Sequence, residues 1–271
     1  QLRQLNQRGL TIEGDNLIWT PSQSRMVINQ RPKANDGKAQ IRSRELVFQQ
    51  DTEVLEFKGP TQLNRVDGTN AASTVVRGGR GTWNLKSGLL QAPGPVQAIR
   101  SDGRTLSASG LDGNTRQGYL DLQQPVTLVL ESDRGRITAG RTRWLFSAEQ
   151  LESDQPIQAE LKNSKVQGRG FKLDQRTGTV IISNSCRVEQ TLETLTAQRC
   201  AWNWRSERVV ADGDVVLQRT EPEQITRASR MEAKISDDGA IRFGQAGARV
   251  ESTIKLSPAA QEKPRRPQVS F

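Results

Sequence analysis

The stretch ITAGRTRWLF, residues 137–146, puts Ile137 and Ala139 on one face of an extended chain and Trp144 and Phe146 on the other. Side chains in a strand alternate strictly, so an apolar set that changes parity within one run ends on the wrong side of a flat, half-buried sheet. The switch recurs. A template of apolar, any, small, any, any, apolar, any, large apolar fits Ile12, Gly14, Leu17 and Trp19; then Ile41, Ser43, Leu46 and Phe48; then Val166, Gly168, Phe171 and Leu173; then Leu195, Ala197, Cys200 and Trp202. Ile137, Ala139, Thr142 and Trp144 fit with a weak sixth position, Val76, Gly78 and Trp83 fit in part, and weaker copies open at Leu106 and Thr226. The starts fall at 12, 41, 76, 106, 137, 166, 195 and 226, with gaps of 29, 35, 30, 31, 29, 29 and 31. Near-constant spacing marks a structural repeat.

The second half of each unit also recurs. A polar turn follows the large apolar residue, as in NLKSG at 84–88, DQRTG at 174–178 and SDDG at 236–239. A short strand comes next, then a brief break (GP at 59–60 and 94–95, QP at 124–125 and 155–156), then a further strand such as VQAIR or VVLQR. Three to four residues of turn chemistry between β-rich runs is a hairpin signal, and Pro is tolerated at a strand start. No stretch of the repeats shows a helical apolar period. The chain reads as all-β, with about 16 or more strands.

Parallel β-helix coils are the competing architecture. They need no tight hairpins and no change of parity. A strand that turns its apolar face over is one that bends from one sheet into a facing sheet. The expected fold is therefore two antiparallel sheets facing each other, with apolar residues between them. The small residue and its neighbours, such as Ala139 and Gly140, mark the bend.

Composition narrows this picture. Apolar residues are 34% of the 271, below the usual ~45–50%, which suits a thin structure better than a thick core. Lys plus Arg number 39 against 30 for Asp plus Glu, a net +9, and 29 of the 39 are Arg. That balance points to anionic partners such as nucleic acid, a membrane surface or phosphorylated lipid or sugar. Forked guanidinium groups favour phosphate. The bland alternative, basic residues keeping a β surface soluble, has equal standing. One Tyr and six Phe argue against a stacking platform for nucleic acid.

The chain holds no His, so it lacks the commonest general base and metal ligand. Its two cysteines are too few for a thiolate zinc site. Asp212, Asp214, Asp237 and Asp238 fall in Gly-containing turns, where Asp is favoured for local reasons. No paired carboxylates of the kind a carbohydrate-active enzyme needs stand out. No cofactor, no metal and no catalysis are expected. No segment reaches the ~18 apolar residues of a membrane span. The start at QLRQLNQRGL, without Met, reads as a mature or trimmed chain.

The repeats ITAGRTRW with IQAELK, VQGRGFKL with TVII, and LTAQRCAWNW with VVLQR resemble the OstA-like domain, the β-jellyroll or "β-taco" of the lipopolysaccharide transport proteins LptA and LptC and of the N-terminal domain of LptD. The resemblance spans about residues 10–256 and rests on repetition of degenerate motifs. Its length weakly favours the LptC-like side. It implies a non-catalytic bridge protein in the periplasm that holds acyl chains of lipopolysaccharide between two sheets, with the sugars projecting from an open seam along one side. It also implies an N-terminal inner-membrane helix upstream, and partners in LptF/LptG-like subunits of an ABC transporter and an LptA-like protein, met through terminal strands. Head-to-tail self-association is a further expectation.

The chain then divides into a lead-in at 1–9, one repeat-built domain at 10–256, and a Pro-rich basic tail at 257–271 expected to be disordered. Candidate groove-lining residues are Leu46, Phe48, Trp83, Leu120, Leu122, Trp144, Phe146, Phe171, Leu173, Trp202 and Trp204. The plain alternative is that they pack only against each other. Symmetric pairing about residue 193 would place Cys186 opposite Cys200. A cross-strand disulfide and two small buried apolar residues both fit. Arg100, Arg141, Arg143 and Arg219, near strand ends, are candidates to meet lipid phosphate at the seam, or are solvated surface charge. Two other functions stay open: a β-repeat scaffold without cargo, and a polysaccharide-active enzyme on a β-helix.

Overall fold

The computed structural model describes residues 3–7, 9–35, 37, 39–65, 73–130, 135–161, 164–221, 223–234, 241–244 and 249–254. The expected turn at 236–239, with Asp237 and Asp238, and the tail at 257–271 lie outside them. Among the described residues the chain is β throughout, apart from the 3-10 turn Pro21–Gln23, and every strand pairing is antiparallel.

The strands form two hydrogen-bonded rows. Layer I begins with Arg3–Gln7, inside the lead-in, and runs through Leu10–Gly14, Lys33–Asn35, Ala39–Arg42, Thr61–Arg65, Thr74–Gly78, Val96–Arg100, Thr105–Ala108, Val126–Val129 and Arg136–Ala139. Layer II runs through Asn16–Thr20, Arg25–Gln30, Glu45–Gln49, Val54–Lys58, Gly81–Asn84, Leu89–Ala92, Gly110–Asn114, Tyr119–Gln123 and Thr142–Leu145. Beyond residue 150, five long strands pass through both layers: Gln150–Leu161, Ser164–Asp174, Thr179–Glu189, Arg208–Thr220 and Glu223–Lys234. Layer I closes on Glu251–Ile254 and layer II on Ile241–Phe243.

Each arm of the chain is thus a strand bent once, as the parity switch predicts. Ile137 and Ala139 are buried in layer I, and three residues beyond Ala139 the chain buries Thr142 in layer II. The GP and QP segments, expected only as breaks, are the corners of the returning arms. Corners of the returning arms hold one more residue: Leu122 and Val126 flank QP at 124–125, and Ile182 and Cys186, like Ala211 and Val215, flank corners without Pro. The register shows the extra residue directly. Gln167 opposes Arg187 while Arg169 opposes Asn184, two steps on one strand against three on its partner. Such a bulge sharpens the bend. Ser185 (φ 52°) and Asp214 (φ 47°) take the left-handed conformation there. Asp212 and Asp214, expected in a Gly-containing turn, therefore sit in a corner of the strand Arg208–Thr220.

The small template position has a steric cause. A Cβ at Gly14 would lie 2.1 Å from Ile28 Cγ2, and one at Gly168 2.4 Å from Ile182 Cγ2. The inside of the corner is filled from the neighbouring arm, so nothing larger fits.

Tight turns on the layer II side are tied by side chains. Asn84, Asn114, Asp174 and Asn203 each accept backbone N–H bonds two or three residues ahead, at 2.8–3.0 Å. Successive turns are also stitched together: Arg116 donates to the Leu85 carbonyl and Arg205 to that of Gln175, each at 3.0 Å. Buried residues form an N-terminal cluster around Leu46, Phe48 and Leu55 and a larger one from Ala92 to Met231, with Leu90 touching both. The two hydrogen-bonded rows continue unbroken between them.

Candidate functional site

The two layers enclose a slot. Leu106, Leu128 and Ile137 of layer I and Leu151 and Phe171 of layer II line one narrow cleft, a cavity of ≈ 10 Å³. Val96, Ala98 and again Leu106 face Leu120, Leu122 and Trp144 around a second, of ≈ 30 Å³. Both linings are apolar because each is made from the inward positions of alternating strands. Elsewhere side chains fill the slot: Leu46 and Phe48 are each 1% exposed.

All eleven residues expected to line a groove lie in layer II or at its turns. Leu46, Phe48 and Trp83 belong to the N-terminal cluster; Leu120, Leu122, Trp144, Phe171, Leu173, Trp202 and Trp204 belong to the larger one. Phe146 meets Trp144 edge-on with ring centroids 6.3 Å apart, and Trp202 meets Trp204 at 6.2 Å. Of the eleven, four border the clefts: Leu120, Leu122, Trp144 and Phe171. Sequence reasoning missed the opposite wall. Its signal was present, since Leu106 and Ile137 hold the first template position. Attention to large residues at the sixth and eighth positions selected one layer only.

Inside the slot Cys186 and Cys200 form a disulfide, with Cα atoms 5.9 Å apart, within the range such a bond spans. The pairing expected about residue 193 is corrected. Cys186 opposes Ala197 in layer I, and Cys200 opposes Ile182 and Ala211 in layer II. Among the described residues, no group of three or more Cys, Asp or Glu side chains is placed to hold a metal ion. Among the described residues, the Trp202 indole N–H is buried without a hydrogen-bond partner.

The four arginines expected at the seam divide. Arg143 lies on the outer face of layer II, opposite in parity to Trp144. Its guanidinium is 4.4 Å from the Tyr119 ring centre and donates to the buried Asp121 at 2.8 and 2.9 Å. Arg141, at the corner, donates to the same carboxylate at 3.1 Å. Hydrogen bonding from Arg143 holds the Asp121 carboxyl below the ordinary range, against the opposing effect of burial. Neither arginine reaches the mouth of the slot. Arg219 does, paired with Glu193 at 2.7 Å, and so does Arg100.

Arg100 is the last inward-facing residue of Val96–Arg100. Its Nη1 donates across the mouth to Gln175 Oε1, 2.9 Å away and 75 residues along the chain. Gln175 begins a layer II turn, so this bond joins the free lips of the two layers. Beside it, Asp102 accepts hydrogen bonds from Arg104 Nε and N–H at 3.1 and 3.2 Å and lies 3.3 Å from Arg100 Nε. Burial pushes the Asp102 carboxyl up; the Arg104 bonds and both guanidinium charges outweigh that and hold it low.

No family model matches the sequence. No curated protein matches it either. Among solved structures the chain is similar to LptH of Pseudomonas aeruginosa, described as the LptA homologous periplasmic component of the conserved lipopolysaccharide transport device. Identity is 12%, the TM-score is 0.40, and the match covers 45% of this chain and 94% of that one. No helix among the described residues is long and apolar enough to cross a membrane.

Proposed function

We propose that the chain is a non-catalytic carrier of an acylated glycolipid of the lipopolysaccharide class. The observation that carries this reading is the pair of apolar clefts sharing Leu106, walled by both layers. An acyl chain has the chemistry of such a lining, and burying it between layers that part to admit it removes apolar area from water at about 25 cal/mol per Å². The sequence resemblance to OstA-like repeats supports the same reading. In its finer form the proposal is an LptC-like role at the inner membrane. The protein would be held by a helix upstream, would receive lipid from LptF/LptG-like transporter subunits, and would hand it to an LptA-like protein through the terminal strands.

A photo-crosslinking residue at Trp144 tests this in the intact chain. The expected result is an adduct with lipopolysaccharide at Trp144 and none at the outward position Gln91. Absence of any adduct at Trp144, with the slot still apolar and folded, overturns the reading. The packed N-terminal cluster around Leu46 and Phe48 favours a second reading, a β-repeat scaffold in which the slot is core throughout. That reading predicts no adduct at Trp144 or at Trp83.

A further inference from the structure

Arg100, at the end of the strand Val96–Arg100, and Arg104, just before the strand Thr105–Ala108, lie at the mouth, joined by the Arg100 N–H bond to the Arg104 carbonyl at 2.9 Å. Two residues deeper on the same inward faces lie Ala98 and Leu106, which line the larger cleft. The pair therefore sits directly above apolar space. Both side chains are 21% exposed, so their charges are sheltered from solvent. One carboxylate, Asp102, serves both guanidinium groups. A net positive charge is left over. The side-chain partner that Arg100 takes from the facing layer is a neutral amide, Gln175. Among the described residues, Arg100 Nε is buried and lacks an acceptor in hydrogen-bonding geometry, although Asp102 is close. A phosphate monoester offers three acceptor oxygens and two negative charges to such a pair, where an amide offers one oxygen and none.

We infer that Arg100 and Arg104 form a binding site for the phosphomonoester of an acylated amphiphile, whose chain enters the cleft below while the phosphate replaces Gln175 on Arg100. The site rests on the lipid-carrier reading and adds to it a fixed head-group position. It also makes the Arg100–Gln175 bond a clasp across the lips that the anionic head group releases.

Equilibrium binding to the intact, oxidised chain tests this with three probes: decanoyl lysophosphatidate, decanoylglycerol and inorganic phosphate. Arg100→Gln with Arg104→Gln is expected to weaken lysophosphatidate about tenfold or more and to leave decanoylglycerol within about twofold. The double Lys variant keeps part of the affinity, because point charges remain without the fork. Arg77→Gln, on the outer face of layer I, leaves both lipids unchanged. Equal weakening of both lipids by the double Gln variant overturns the site, as does no weakening of either. Inorganic phosphate binding as tightly as lysophosphatidate also overturns it, in favour of a free-phosphate site. If decanoylglycerol binds and the phosphate adds no affinity, the arginine site alone falls. If neither lipid binds, the lipid-carrier reading falls with it.

Discussion

Cys186 and Cys200 are bonded across a corner, one cysteine in each layer, with their Cα atoms 5.9 Å apart. The bond closes a loop of 14 residues and pins the layers where the bulged strand Thr179–Glu189 passes between them. Reduction or Cys186→Ala with Cys200→Ala is expected to cost about 3 kcal/mol through the freed unfolded chain. Urea unfolding with and without reductant measures it. An unchanged midpoint would show that the crosslink does not constrain unfolding.

The glycine at the small template position is required by its neighbour. Gly168→Ala places a methyl against Ile182 Cγ2 and is expected to cost about 1–3 kcal/mol. Ile182→Ala relieves the clash, so the double variant is expected to lose less than the sum of the two single changes. Strict additivity in a double-mutant cycle would contradict the steric account.

Asp121 makes stability depend on pH. Its folded pKa is depressed, first by the Arg143 hydrogen bonds. A depressed carboxyl contributes stability that is full above the unfolded value of about 3.9 and is lost as pH falls through the lower folded value. Asp121→Asn is expected to lose about 1–3 kcal/mol at pH 7. It is also expected to flatten the stability profile below about pH 4. Melting temperatures of both proteins from pH 3 to 7 check this; parallel profiles would refute it.

Turn stitching has its own cost. Asn114 accepts from Arg116 and Gln117 and donates to the Ser87 carbonyl of the preceding turn. Asn114→Ala removes the side-chain partner of these backbone groups and is expected to cost about 1 kcal/mol. Hydrogen exchange at residues 85–88 and 115–118 should quicken before exchange at the corners does. Uniform quickening along the chain would argue against local stitching.

Much of this architecture was written along the chain. The period, the bent arms and the corner between the third and sixth positions follow from Ile137, Ala139, Thr142 and Trp144, because side-chain alternation reports which face of a strand a residue occupies. Alternation is local, however, and says nothing about what lies across the slot. That Leu106 faces Trp144, that the GP and QP breaks are corners with an added residue, and that Cys186 reaches Cys200 between layers depended on how bulged arms cross. Arg100 shows the limit most plainly. Its strand neighbours, Thr74 and Arg104, follow from hairpin order, but Gln175 is 75 residues away. The two meet because neighbouring strands twist relative to one another, so arms leaving the corners carry the lips past each other by several repeats. The sequence by itself determined which residues turn inward; the twist of the assembled layers decided which of them meet.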